Sequence, residues 1–230
     1  MKSLNYKYVD IYRKINICIF VLLFIKTIKF NLNSKNINVD LSIVDIFNTH
    51  YITPIIYKVT MVLFLLFISL KIEIFYNRNV FLRQDSRKMW FKNIIKHNYI
   101  LSLFFTLFIF ISSLIIYFIF SHKIIQLNEF ITITIKSGFN FVYFSIFAIL
   151  YSILRIMINR PVIAIIVEVF SYLTIYNIMS NLNPVLENVI SNLFFINKLT
   201  IYDIKNFIIG LMVLTILIPI GNYIATKKNL

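Results

Sequence analysis

Glu168 is the side chain whose type and surroundings raise the question of chemistry first. It stands in PVIAIIVEVFSYL, the only charged residue in an apolar run. Counted from Pro161 at ~1.5 Å per residue, it lies about 10 Å into that run. A carboxylate at such depth is costly and normally faces a polar cavity or a partner. It therefore reads either as a group on a substrate path or as a structural acid, protonated or hydrogen-bonded to a neighbouring helix. Asn140, in the preceding apolar run, and Asn177, in the same run as Glu168, are polar positions that join it as candidates to line a path; both also suit the outer interface. The single cysteine, Cys18, can form neither an internal disulfide nor a zinc site. It lies about one turn past Lys14 with no histidine nearby in sequence, a poor setting for a nucleophile, and reads as an inert buried thiol. His50, His97 and His122 are scattered, so no metal site is expected.

The three glycines, Gly138, Gly210 and Gly221, exclude a phosphate-cradling GxxxxGK[ST] loop and a GxGxxG turn. No GxSxG and no paired acids of the intramembrane-protease kind occur. The chain therefore reads as a non-enzyme that holds no cofactor of its own.

The elements that must position these residues follow from composition. Of 230 residues, 60% are hydrophobic and 14% charged. Average soluble chains carry about 25% charged residues, and a soluble domain could not cover this much apolar surface with so few. Lipid is the expected solvent, and the fold expected is all-α and polytopic. The net charge of +14 fits cytoplasmic loops and anionic headgroups, and nucleic acid is not an expected partner. Six runs approach the roughly 20 apolar residues that cross ~30 Å of hydrocarbon: residues 12–30, 52–75, 99–120, 138–158, 161–180 and 207–225. Residues 1–230 read as one transmembrane domain. The first run is read as an uncleaved span, since KTIKFNLNSK after it lacks a small-residue cleavage site.

Most of the 23 Lys and Arg residues fall on one side if the N-terminus is cytoplasmic, and most acids on the other. Both termini are therefore expected in the cytoplasm of a cell carrying the chain in its plasma membrane. The connection INRP between the fourth and fifth runs is short, and Pro161 suits the first position of a helix. The outer loop, 181–206, is semi-apolar and expected to lie on the outer leaflet; Thr200 and Asp203 suit the start of the sixth helix. Pro219 is expected to kink that helix. NEFITITIKSG alternates like a strand, but an open strand edge beside a membrane is costly, so an irregular or helical lead-in is expected.

The segment 76–98 contains NRNVFLRQDSRKMWFKNIIKHN, with Arg78, Arg83, Arg87, Lys88, Lys92 and Lys96 against the single acid Asp85. Asp85 or Ser86 can cap a helix that runs through Met89, Trp90 and Ile94 into the third span. NVFLRQ before it can lie as a short helix across the interface. Trp90 and Phe91 are expected at headgroup depth, with Lys92 and Lys96 toward phosphates. An ordinary positive-inside loop with an aromatic anchor is the plainer account.

The order Arg83, Ser86, Arg87, Lys88, Trp90, Lys92 resembles the R-x-x-S-R-K-x-W-x-x-K-like run after the second helix in permease subunits of type-2 ABC exporters, with Lys92 closer to Trp90 than in that pattern. It looks closest to the small bacterial permeases of peptide, lantibiotic and self-protection exporters. The resemblance implies a cytoplasmic coupling helix between helices 2 and 3, seated in a groove of a separate ATPase subunit that supplies the ATP. Phe81, Leu82, Arg83 and Arg87 would meet that subunit, and Trp90 and Lys92 would fix the depth of the helix. It further implies a second permease copy, identical or homologous, an outer loop that closes the exit, and an amphipathic cargo such as a peptide, lipid or drug. The other functional classes are a stand-alone membrane immunity or binding protein against membrane-active peptides, and a membrane-embedded enzyme.

Overall fold

The computed structural model describes residues 42–48, 54–76, 86–120, 124–182 and 201–227, with four helical positions nearer the start, Cys18, Val21, Leu22 and Ile25. Among these residues the fold is all-α: α1 (Ile43–Asn48), α2 (Pro54–Ile72), a 3-10 turn (Glu73–Tyr76), α3 (Arg87–Phe120), α4 (Leu127–Ile158), α5 (Pro161–Leu182) and α6 (Ile201–Lys227). Three helical stretches are long and apolar enough to cross a membrane: Arg87–Ile119, Leu127–Ile158 and Phe207–Lys227. Thr60–Ile72 and Pro161–Ser171 are shorter apolar helices. The six-span expectation thus resolves, among the described residues, to three candidate spans and two shorter apolar helices. Most of the first expected run, 12–30, and much of the loop 181–206 lie outside the described residues, as do Thr200 and segment 77–85. Cys18, read as buried, is exposed, as are Val21, Leu22 and Ile25.

Helix ends follow local chemistry. Ser86 caps α3: its Oγ accepts from the Met89 N–H at 3.2 Å and its carbonyl from Trp90 N–H at 2.9 Å. At 34 residues, α3 is about 51 Å long, so the basic turns Arg87–Asn98 continue the third span as rigid helix rather than loop. NEFITITIKSG belongs to α4. Its alternation does not produce a strand because the polar positions satisfy themselves within a helix: Thr132, Thr134 and Ser137 donate to the carbonyls four residues back at 2.8 Å. α4 ends at Asn159, left-handed at φ 60°, whose N–H donates to the Arg155 carbonyl at 3.0 Å. Arg160 then accepts from Ala164 N–H at 3.1 Å, and Pro161 opens α5 as expected.

α4 is the central helix and packs on the other five. Its antiparallel seam with α3 runs from Asn98 beside Ala148, through Phe105 beside Phe144, to Phe110 beside Phe130. Phe64 of α2 completes a three-helix aromatic cluster, 5.1 Å from Phe105 and 4.5 Å from Phe144 between ring centroids. α6 runs parallel to α4, with Phe207 on Phe139, Gly210 on Val142 and Gly221 on Ile153. In lipid such interfaces are held by close packing and interhelical hydrogen bonds rather than by expulsion of water. Ser112, Ser113, Ser145 and Ser152 fit this account, each buried and donating to a carbonyl three or four residues back.

Candidate functional site

Where the polypeptide leaves α2 and re-enters at α3, polar groups converge at one end of the bundle. Glu73, in the first position of the 3-10 turn, faces Arg155 in the last turn of α4. Arg155 Nε donates to Glu73 Oε1 at 2.7 Å and Nη2 to Oε2 at 3.0 Å, the paired geometry that a planar guanidinium makes with a carboxylate. Tyr151 hydroxyl adds a third donor to Glu73 Oε1 at 3.3 Å. Arg155 Nη1 donates to Asn159 Oδ1 at 3.3 Å, so the arginine also holds the turn between α4 and α5.

The aromatic residues around this pair tie in the entrance of α3. The Arg155 guanidinium lies 4.7 Å from the centroid of the Tyr76 ring. Tyr76 hydroxyl donates to the Ser152 carbonyl at 3.0 Å. Burial pushes this phenol well above its ordinary range, with the Arg155 charge opposing. Trp90 stands edge-on to Tyr76 at 5.4 Å and donates its indole N–H to the Phe75 carbonyl at 2.8 Å. Deeper along the same seam, Asn98 Nδ2 donates to the Ala148 carbonyl at 3.0 Å and Ser152 Oγ at 2.9 Å. On the far side of α3, Arg87 Nη1 donates to the Thr226 carbonyl in the last turn of α6 at 3.3 Å, where a helix end favours a cation.

The cluster assembles no nucleophile with a base, and the described residues hold no group of three His, Cys, Asp or Glu able to bind a metal. What it can do is mechanical. The Trp90–Phe75 bond ties the first turn of α3 to the 3-10 turn that precedes the connection 77–85. The turn before the connection is locked to the end of α4. Through Asn159 the same network reaches the turn between α4 and α5.

The residues singled out from sequence are placed as follows. Phe81, Leu82 and Arg83 lie outside the described residues. Arg87 is half-buried on α6. Lys92 is exposed. Trp90, expected at headgroup depth as an anchor, is 1% exposed and faces into the bundle, because its N–H finds an acceptor in the 3-10 turn rather than at a membrane surface. Glu168 is 4% exposed, and neither carboxylate oxygen has a hydrogen-bond partner among the described residues. Asn140 is buried on α4 and makes no hydrogen bond to Glu168; the side chain of Asn177 lies outside the described residues. Sequence reasoning missed Glu73 and Arg155 as a pair. The signal was present: an acid on the cation-rich side, and an arginine inside the apolar run ILRIMI.

No family model, curated protein or solved structure matches the chain.

Proposed function

We propose that the chain is the membrane-spanning permease subunit of an ATP-driven exporter of the type-2 ABC kind. In this reading six helices cross the plasma membrane with both termini cytoplasmic. Two permease copies form the path for an amphipathic cargo, and a separate ATPase subunit supplies the energy. The observation that carries the proposal is the bracing of the described residues on either side of the basic connection 77–85. Trp90 ties the start of α3 to Phe75, and Glu73 and Tyr76 tie the preceding turn to Arg155 and Ser152. A segment that receives a push from a partner subunit needs a stiff foundation, and such a foundation is what these contacts supply. The order of Arg83, Ser86, Arg87, Lys88 and Trp90 in the same region supports the family reading. Glu168, buried beyond the α4–α5 turn without a partner among the described residues, is then the candidate group on the path.

Co-purification tests this. Expressed with the ATPase encoded nearest to its reading frame, the tagged chain is expected to retain that ATPase. The Arg83→Glu/Arg87→Glu variant is expected to lose it while still inserting in the membrane. An ATPase that stays bound to the doubly altered chain refutes the coupling assignment. A purified chain that protects cells against membrane-active peptides with no ATPase present refutes the exporter reading.

A further inference from the structure

The face of α3 turned away from the bundle changes character once along its length. Lys88, Lys92 and Lys96 repeat every fourth residue and are all exposed. The same ridge continues without interruption into Ile100 and Phe104, 52% and 55% exposed, flanked by Leu103 and Leu107. None of the three lysines makes a hydrogen bond or ion pair with the described residues. They occupy about 12 Å of helix, and the apolar stretch from Ile100 to Ile119 occupies about 28 Å, close to the ~30 Å of a bilayer's hydrocarbon. The headgroup layer on each side is about 5–8 Å thick. Counted from Ile100 at the hydrocarbon edge, Lys96 therefore lies about 6 Å out, within that layer, Lys92 about 12 Å out, just past its water side, and Lys88 about 18 Å out, in the water beyond.

We infer that this ridge is a binding site for anionic phospholipid, in the leaflet on the side of the α3 N-terminus. Lys96 takes the phosphate, Lys92 and Lys88 add charge from the water side, and Ile100, Leu103, Phe104 and Leu107 take the acyl chain. The occupant follows from charge and length together. A second copy meeting this ridge with its own would set lysines against lysines. A soluble acidic protein would match the lysines but leave the apolar half of the ridge without a counterpart. An anionic lipid matches both halves in one molecule. The inference requires only that α3 crosses a membrane; it does not depend on the exporter reading.

The test places the full chain in nanodiscs of phosphatidylcholine with a minority of phosphatidylglycerol. It compares contact of spin-labelled phosphatidylglycerol and spin-labelled phosphatidylcholine with the protein by electron paramagnetic resonance. Each lysine near an anionic surface is worth about fivefold. The unaltered chain is expected to favour the anionic label, and Lys88→Gln/Lys92→Gln/Lys96→Gln to lose most of that preference, about tenfold or more. The corresponding triple arginine variant is expected to retain it. Lys26→Gln/Lys29→Gln/Lys35→Gln, which removes the same net charge elsewhere, is expected to change it little. Equal loss in that control means that overall charge, not a site, sets the preference, and overturns the inference. So does an unchanged preference in the ridge variant. If the unchanged variant also sheds a soluble partner, the ridge is a protein-docking surface. Absence of contact with either label would overturn the membrane placement of α3 itself, whereas equal contact with both overturns only the site.

Discussion

At the scale of single residues, Glu73 and Arg155 are the pair that joins the end of α2 to the end of α4. Their side chains are 24% and 10% exposed, so the pair is partly shielded from water and bonded at both carboxylate oxygens. Removing one partner leaves the other charge half-buried and short of hydrogen bonds, which costs more than the pair contributes when both are present. The two substitutions should therefore be strongly non-additive. Glu73→Gln and Arg155→Gln are each expected to destabilise, and the double variant by less than their sum, with a coupling energy of about 1–3 kcal/mol. A double-mutant cycle by equilibrium unfolding in mixed micelles measures this, and additive changes would show that the pair does not couple. Tyr151 and Asn159 keep one bond each to the remaining partner in single variants, which places the coupling below the full cost of an isolated buried charge. Glu168 is the opposite case. With no partner at either oxygen among the described residues, its substitution removes no hydrogen bond that they make, and what it costs falls on whatever proton or ligand it holds.

At the scale of elements, close approach is set by glycine in one place and not in another. A Cβ at Gly221 on α6 would meet Phe91 of α3, with Cζ nearest and Cε1 at 2.6 Å, and Ile153 of α4 at 3.1 Å. These contacts involve a fully buried ring and a branched side chain, so neither yields freely. Gly221→Ala is expected to destabilise by about 1–3 kcal/mol through overpacking. Gly138, inside α4, has nothing within 4 Å of its virtual Cβ. Gly138→Ala is expected to stabilise by about 0.5–1 kcal/mol, since alanine loses less freedom in a helix. Thermal unfolding of the two variants checks the difference in sign. Element type was legible because apolar runs in lipid have few alternatives to helix: the start of α5 at Pro161 and the cap at Ser86 were both readable from residue chemistry. Lengths were less so. The basic turns of α3 were readable as helix from that cap onward, but the Thr-rich start of α4 carries no continuous apolar signal, and hydroxyl bonds to the helix backbone, invisible in a hydropathy pattern, let it continue as helix. α1 was missed because six residues give too short a run, although Ile43, Val44, Ile46 and Phe47 are all buried. The site was least legible because it joins residues distant in sequence, 82 positions apart for Glu73 and Arg155.

At the scale of the whole molecule, the contacts fix which helix ends lie together. The end of α2 meets the end of α4 through Glu73 and Arg155, and the start of α3 meets the end of α6 through Arg87 and Thr226. The turn Asn159–Arg160 places the start of α5 at the same end, and the antiparallel seam of α3 with α4 places Gln126 at the other. This arrangement makes a prediction about sidedness that does not depend on the cargo or the partner. In a Cys18→Ser background, single cysteines replace Ser86, Asn159, Thr226 or Gln126, all exposed positions at helix ends. A membrane-impermeant maleimide applied to intact cells is expected to label the Gln126 position alone, and the other three only after the membrane is opened. The excess of Lys and Arg among the segments joining the first three positions gives the direction, since cations favour the cytoplasmic side. Labelling of the Thr226 position together with that of Gln126 would contradict the packing of α6 parallel to α4. Labelling of Ser86, Asn159 and Thr226 from outside, with Gln126 protected, would preserve the packing and invert the orientation, placing the basic connection beyond reach of any cytoplasmic ATPase.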